Sequence, residues 1–219
     1  MKVIITGATG MVGEGVLQEC IANSLVKKIL LINRTPSGYS NIKVEEILHQ
    51  DFNDLSPIIE KIQGYNACYF CAGVSSVGKT EKEYTKSTYN LTINFAAAMA
   101  VINPQMTFCY ISGQGTDSSE EGKNMWARVK GKTENALLKL PFKAVYNFRP
   151  AFMKPTRGAK NVKGFYKVIK LMYPFLRIFS KSFFLTLQEV AKAMINVSIN
   201  GYKKNMIETK DILLLAGRK

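Results

Sequence analysis

The chain has 219 residues, room for one α/β domain with a full core and little room for a second. Hydrophobic residues make up 47% and charged residues 21%, an ordinary globular balance in which no apolar run approaches the ~18 residues of a membrane span. The formal net charge is +14 with a single histidine, His49. A histidine-rich metal site is therefore excluded, no residues have zinc spacing and no metal is expected. Nucleic acid, membrane surfaces and polyanionic small molecules are the partners that such a charge attracts.

In chain order, Met1-Lys2 leads directly into Val3–Thr6, a short buried strand and not the apolar core of a signal peptide. Met11–Asn23 has helical spacing through Val12, Val16, Leu17 and Cys20, and Lys28–Asn33 is a second apolar strand followed by a Thr35-Pro36-Ser37-Gly38 turn. Val44–Leu48 reads as strand three, and Ser56 with Pro57 as the cap and first position of a helix. Ala67–Cys71 is strand four, Lys79–Val101 a long helix, Met106–Ile111 strand five, Met125–Leu138 a helix and Val145–Arg149 strand six. Thr186–Ile199 reads as a further helix and Met206–Leu215 as a closing strand or turn. Continuous apolar strands alternating with helices predict a single α/β domain over residues 1–219. Its parallel sheet is doubly wound in the order 3-2-1-4-5-6, with helices on both faces.

Four cysteines are present: Cys20, Cys68, Cys71 and Cys109. Cys68 and Cys71 have redox-motif spacing but sit in a strand-like run, whereas a reactive thiol needs an electropositive, partly exposed helix terminus. They read as small core residues in a reducing, cytoplasmic location.

The first strand, the turn Thr6-Gly7-Ala8-Thr9-Gly10 and the helix beginning Met11-Val12-Gly13 form one phosphate-binding unit. Gly7 allows the sharp turn, Gly10 lets backbone approach a pyrophosphate, and Gly13 lets helix and strand pack closely. Gly7, Thr9, Gly10, Met11, Val12 and Gly13 are thus candidate contacts, with the helix N-terminus supplying N–H groups and partial positive charge. At the end of strand two a preference for NAD would place an acid; here stand Asn33-Arg34-Thr35. A guanidinium suits a 2′-phosphate and the adenine face, so NADP is expected over NAD.

With these glycines in a strand–turn–helix, the chain resembles the short-chain dehydrogenase/reductase superfamily, and within it the atypical NAD(P)H-binding, nucleoside-diphosphate-sugar-epimerase-like branch of Rossmann proteins. Asp51-Phe52 matches the pair bordering adenine, Cys71-Ala72-Gly73 the small-residue loop along the cofactor, and Ser112 the catalytic serine. Phe148-Arg149-Pro150 resembles the segment passing the nicotinamide side. The family reaction uses a Tyr-x-x-x-Lys pair, where this chain reads Trp126-Ala127-Arg128-Val129-Lys130. Lys130 is retained, one helical turn from its partner, as the resemblance implies for a residue that holds the ribose. The Trp126 indole can donate a hydrogen bond but cannot release its proton near neutral pH. Tyr166-Lys167-Val168-Ile169-Lys170 fits the pattern literally but follows strand six, on the wrong side of the fold. Tyr84 and Tyr89 fall in a segment that borders the pocket in this family.

After strand six, residues 151–190 correspond to the family's substrate-side lid. Within 163–185, Lys163, Lys167, Lys170, Arg177 and Lys181 share one helical face and Phe165, Ile169, Met172, Leu176, Phe179 and Phe183 the other, with Pro174 dividing the helix. Packing as a lid, peripheral membrane contact and a partner or homodimer surface are the readings of this segment. Nucleic acid is not expected, because no recognition motif accompanies the charge. The resemblance implies an oxidoreductase or epimerase acting on a small carbonyl or hydroxyl substrate. Trp126 sets against it a non-catalytic NADP-binding sensor or scaffold.

Overall fold

A computed structural model describes residues 1–156 and 184–217. Seven parallel strands form one sheet in the order β3-β2-β1-β4-β5-β6-β9. They are β1 (Lys2–Thr6), β2 (Lys28–Asn33), β3 (Val44–Leu48), β4 (Ala67–Phe70), β5 (Thr107–Ile111), β6 (Ala144–Arg149) and β9 (Met206–Glu208). The six expected strands take the expected order, and β9 extends the sheet beyond β6 through the register Phe148↔Ile207. A small second sheet pairs β7 (Phe152–Lys154) with β8 (Phe184–Thr186).

Because side chains alternate along a strand, each central strand feeds two cores. Val3, Ile5, Leu31, Tyr69 and Cys109 face one cluster, which α1 (Met11–Ala22) and α6 (Leu187–Asn200) cover. Ile4, Leu30, Phe70, Phe108 and Tyr110 face the other, covered by α2 (Ile59–Ile62), α4 (Leu91–Ile102) and the end of α5 (Met125–Leu137). Most of these strand side chains are completely buried. At about 1.5–3 kcal/mol for each large apolar side chain buried, this two-sided burial is the main force holding the layers together. The chain closes with α7 (Thr209–Leu215).

Several local expectations are corrected. Ser56 does not cap a helix: it lies inside a short 3-10 turn, Ser56–Ile58, and its own N–H is accepted by the Asp54 carboxylate at 2.9 Å. The long helix starts at Glu81 as α3 (Glu81–Thr85), capped by Thr80 with Glu83 in a reciprocal capping box. A π turn, Lys86–Asn90, then interrupts it before α4. Met206–Leu215 is a three-residue strand followed by a helix, not a strand or turn throughout. Among the described residues no helix is long and apolar enough to cross a membrane, and no group of metal-ligating side chains gathers. The basic aromatic run at 163–185, including the Tyr166–Lys170 pattern, lies almost wholly outside the described residues.

Candidate functional site: a cleft at the ends of the central strands

The chain leaves β1 with β2 on one side and β4 on the other, so the loops after these strands diverge and open a crevice. Gly7 turns with φ +70°, and a Cβ there would lie 2.7 Å from the Ala72 nitrogen. A Cβ on Gly13 would overlap the Gly7 carbonyl, so α1 comes this close to the turn only with glycine at position 13. Gly10 differs. A Cβ there would meet only the Gly7 oxygen, at an ordinary 3.4 Å. The fold itself does not require glycine at this position, which borders the cleft. Gly10 is the N-cap of α1, and no side chain caps the helix. The amides of its first turn, at Met11, Val12 and Gly13, therefore have no side-chain acceptor.

The cleft encloses about 540 Å³. Among the expected cofactor contacts, Gly7, Thr9, Gly10, Asn33, Arg34, Asp51, Phe52, Cys71, Ala72 and Gly73 line it. Met11, Val12 and Gly13 stand behind them in α1, and Ser112, Trp126 and Lys130 are not on its walls. Thr35, Gln50, Asn53, Val74, Ser87 and Leu91 complete the lining. Ser87 and Leu91 could not be placed from sequence, because only the packing of the π turn and α4 brings them to the loop after β1.

The adenosine side has a clear division of labour. Asn33 is buried: its Oδ1 accepts the Ala8 N–H at 3.1 Å and its Nδ2 donates to Glu46 Oε1 at 2.8 Å. It therefore braces the glycine turn with groups that a ribose would otherwise engage. The sequence around Asn33 offers no acid, but β3 brings Glu46 alongside. One Glu46 oxygen, Oε1, accepts both from Asn33 and from the Ser37 N–H at 2.9 Å. Arg34 is exposed at the rim, its guanidinium in no ion pair among the described residues, while its carbonyl accepts from Gln50 Nε2 at 2.6 Å. The Asp51 carboxylate is held below its ordinary range by hydrogen bonds from the backbone and side chain of Asn53. Phe52 is buried against Phe95, ring centroids 5.4 Å apart.

All four cysteines are free and no redox pair forms. Cys71 borders the cleft, yet burial pushes its thiol up to about 12 and raises the other three as well. A protonated thiol is a poor nucleophile.

Beyond the cleft, β5 ends at Ser112, which is 7% exposed. Its Oγ lies 2.9 Å from Thr116 Oγ1. Thr116 gives its own proton to the Gly113 carbonyl at 2.8 Å, so Ser112 is the donor in this pair and keeps its lone pairs for accepting. Lys130 Nζ donates to the Ile111 carbonyl at 3.2 Å and lies over the Tyr110 ring, 5.1 Å from its centre. Ser112 thus ends β5, and Lys130 bonds the carbonyl of the residue just before it. Burial pulls the Lys130 ammonium down to about 8, against the opposing pull of Glu134 one turn along. Trp126 lies against the loop after Ser112, its ring 3.5 Å from where a Cβ on Gly115 would stand.

Among the described residues, neither Tyr84 nor Tyr89 takes over the position of Trp126. Tyr84 is 2% exposed, its hydroxyl made less acidic by burial, and Tyr89 lies beneath the Lys132 ammonium at 4.9 Å. Neither lines the cleft. Arg149, at the end of β6, is engaged with Glu134, Glu208 and Ser118 and ties α5 to β9.

A parallel doubly wound sheet, a glycine turn before an uncapped helix and a crevice between the first and fourth strands define the Rossmann class of dinucleotide-binding proteins. The family model described as NAD dependent epimerase/dehydratase matches residues 3–123. The chain belongs to that family. Over 98% of its length it is 24% identical to protein HTATIP2 of Rattus norvegicus, covering 88% of that protein. It is 32% identical to leucinostatins biosynthesis cluster protein T of Purpureocillium lilacinum over 118 residues, a match spanning 52% of this chain and less than half, 44%, of that relative. Among solved structures, DesIV, the dTDP-glucose 4,6-dehydratase of Streptomyces venezuelae with NAD and TYD bound, superposes with a TM-score of 0.69 at 12% identity. That superposition covers 100% of this chain and 82% of DesIV, and it concerns the fold.

Proposed function

We propose that the cleft binds NADP, with the pyrophosphate on the first turn of α1 and the 2′-phosphate against Arg34. The chain then serves as an NADP-linked oxidoreductase or epimerase for a small carbonyl or hydroxyl substrate beside Ser112 and Lys130. The observation that carries the cofactor reading is Arg34: an exposed guanidinium on the cleft rim, outside any ion pair among the described residues, where the neighbouring acid Glu46 already spends Oε1 on Asn33 and the Ser37 N–H. Gly10 supports it, since a ligand phosphate accounts for the missing side chain that the fold does not demand.

When bound, the nicotinamide supplies or accepts the hydride. Lys130 supplies positive charge next to the ribose side, and Ser112 orients the substrate oxygen. As an acceptor Ser112 suits a substrate hydroxyl; to donate to a carbonyl it must first turn its proton away from Thr116. Trp126 leaves the usual proton carrier out. That residue favours a second reading, an NADP-binding sensor or scaffold without turnover.

Titration with NADPH and NADH tests the cofactor reading, using energy transfer from Trp126, the chain's single tryptophan, to the reduced nicotinamide. NADPH is expected to bind at least about tenfold more tightly, and Arg34→Ala to erase that preference, because a charge-assisted bond contributes about 1.5–3 kcal/mol. Equal affinities in the unaltered protein overturn it. For the chemistry, Trp126→Tyr is expected to raise turnover of an aldehyde and ketone panel by about 10²-fold or more. Bound NADPH with no turnover in either protein gives the sensor reading instead.

A further inference from the structure

We propose that the end of the molecule opposite the cleft docks on an anionic lipid surface. The seven strands are parallel, so their N-terminal ends share one pole, about 30 Å wide at the usual strand spacing. The crossover helices run back against the strands and bring their C-termini to the same pole. Lys2 and Lys27 lie at the starts of β1 and β2, Lys143 and Lys203 before β6 and β9, and Lys139 just after α5. All are exposed and none is in an ion pair among the described residues.

The acids of this pole are mostly neutralised. Glu45 pairs with Lys28 at 2.8 Å, Asp211 with Lys204 at 2.8 Å, and Glu19 faces Lys192 at 4.0 Å. Glu60 stays outside any ion pair among the described residues and has Lys61 beside it. Lysines at helix C-termini have an ordinary use, which is to satisfy the last carbonyls. Lys43 does this for α1, donating to the Ile21 and Asn23 carbonyls at 2.8 and 2.9 Å. The five exposed lysines make no such bond among the described residues.

Large aliphatic side chains stand among these lysines. Ile42, before β3, is fully exposed; Val101, at the end of α4, is 81% exposed; Leu25, Leu138 and Ile199 are exposed in the corresponding places after α1, after α5 and at the end of α6. Lysine heads and aliphatic side chains on one broad pole match anionic headgroups above the outer acyl carbons. Nucleic acid would be met by arginine forks and exposed stacking aromatics, and this pole carries neither among the described residues, its Phe142 and Tyr202 being partly buried. Docked this way, the protein turns its cleft away from the bilayer, so cofactor entry and lipid contact do not compete.

Cosedimentation of the full chain with phosphatidylcholine vesicles containing about 30% phosphatidylserine tests this, beside vesicles of phosphatidylcholine alone. Binding is expected only to the anionic vesicles, with release on raising sodium chloride from about 0.1 M to about 0.5 M. The triple change Lys139→Glu, Lys143→Glu, Lys203→Glu is expected to weaken it more than about tenfold, and Ile42→Ser with Val101→Ser to weaken it at unchanged charge. Unaltered circular dichroism and thermal unfolding show that these surface variants are folded. The reversal Lys79→Glu with Lys82→Glu, at the cleft end, is expected to leave binding within about twofold. No vesicle binding, equal binding to neutral vesicles, or binding to a nucleic-acid duplex but not to vesicles overturns the proposal. So does binding that survives the pole variants and is lost on Lys167→Glu with Lys170→Glu.

Discussion

Lys130 carries a charge that its surroundings oppose. Burial lowers its folded pKa to about 8, whereas in the unfolded chain it titrates near the ordinary lysine value of about 10.4. Between these values the unfolded state binds the extra proton, so this group's contribution to stability rises with pH across that window. Below about 8 both states are charged and its full destabilising cost applies. Lys130→Met is therefore expected to stabilise the protein by about 1–3 kcal/mol at pH 7, with the gain shrinking as pH rises toward 10.4, read by denaturant unfolding at several pH values. A gain that does not change with pH contradicts the burial argument. Trp126, one turn earlier, is readable from sequence as a departure from the family pattern; that Thr116 accepts a hydrogen bond from Ser112 is not, because it depends on the path of the loop after β5.

At the scale of elements, the glycines at the start of α1 separate two demands. Gly13 is required by packing: a Cβ would overlap the Gly7 carbonyl, and the backbone on both sides is fixed. Gly13→Ala is expected to cost about 1–3 kcal/mol in urea unfolding, the usual cost of overpacking a fixed site. Gly10 has room for a methyl group, so Gly10→Ala is expected to unfold within about 0.5 kcal/mol of the parent yet to bind NADPH at least about tenfold more weakly. Equal NADPH affinity in Gly10→Ala overturns the assignment of the pyrophosphate to that turn. The sequence also held cues to helix starts that the propensity reading passed over. Thr80 to Glu83 and Thr186 to Glu189 are both Thr-x-x-Glu capping boxes, and each sets the first residue of its helix. By contrast, nothing local announces the π turn at Lys86–Asn90, which shifts the later face of the helix and brings Ser87 to the cleft.

Across the whole molecule, Arg149 joins three distant segments. Its guanidinium meets Glu134 of α5, Glu208 of β9 and Ser118 of the loop after β5, and Glu134 is completely buried. Removing the cation leaves a buried carboxylate without its partner, which typically costs 3–5 kcal/mol. Arg149→Met is expected to lose about that much in chemical denaturation, while a loss under about 1 kcal/mol contradicts this account of the pair. By resemblance, Phe148-Arg149-Pro150 is the segment that passes the nicotinamide side; the structure adds that the Arg149 side chain holds β9 to the sheet, a partnership between residues far apart in sequence.

The sheet order from β3 to β6, the glycine turn and most of the cleft lining were already legible in the amino-acid sequence. The physical reason is that these follow from local signals: apolar runs of strand length, glycines at fixed spacing and the right-handed crossover that leaves one winding of the chain. The remaining features arise between segments, from the way the chain packs. Asn33 is consumed by Ala8 and Glu46, Ser112 is tied to Thr116, Arg149 to β9, and lysines and aliphatic residues scattered along the chain gather at one pole. Each depends on a meeting of residues that no periodicity encodes, because a partner brought from a neighbouring strand or helix leaves no trace in the local pattern.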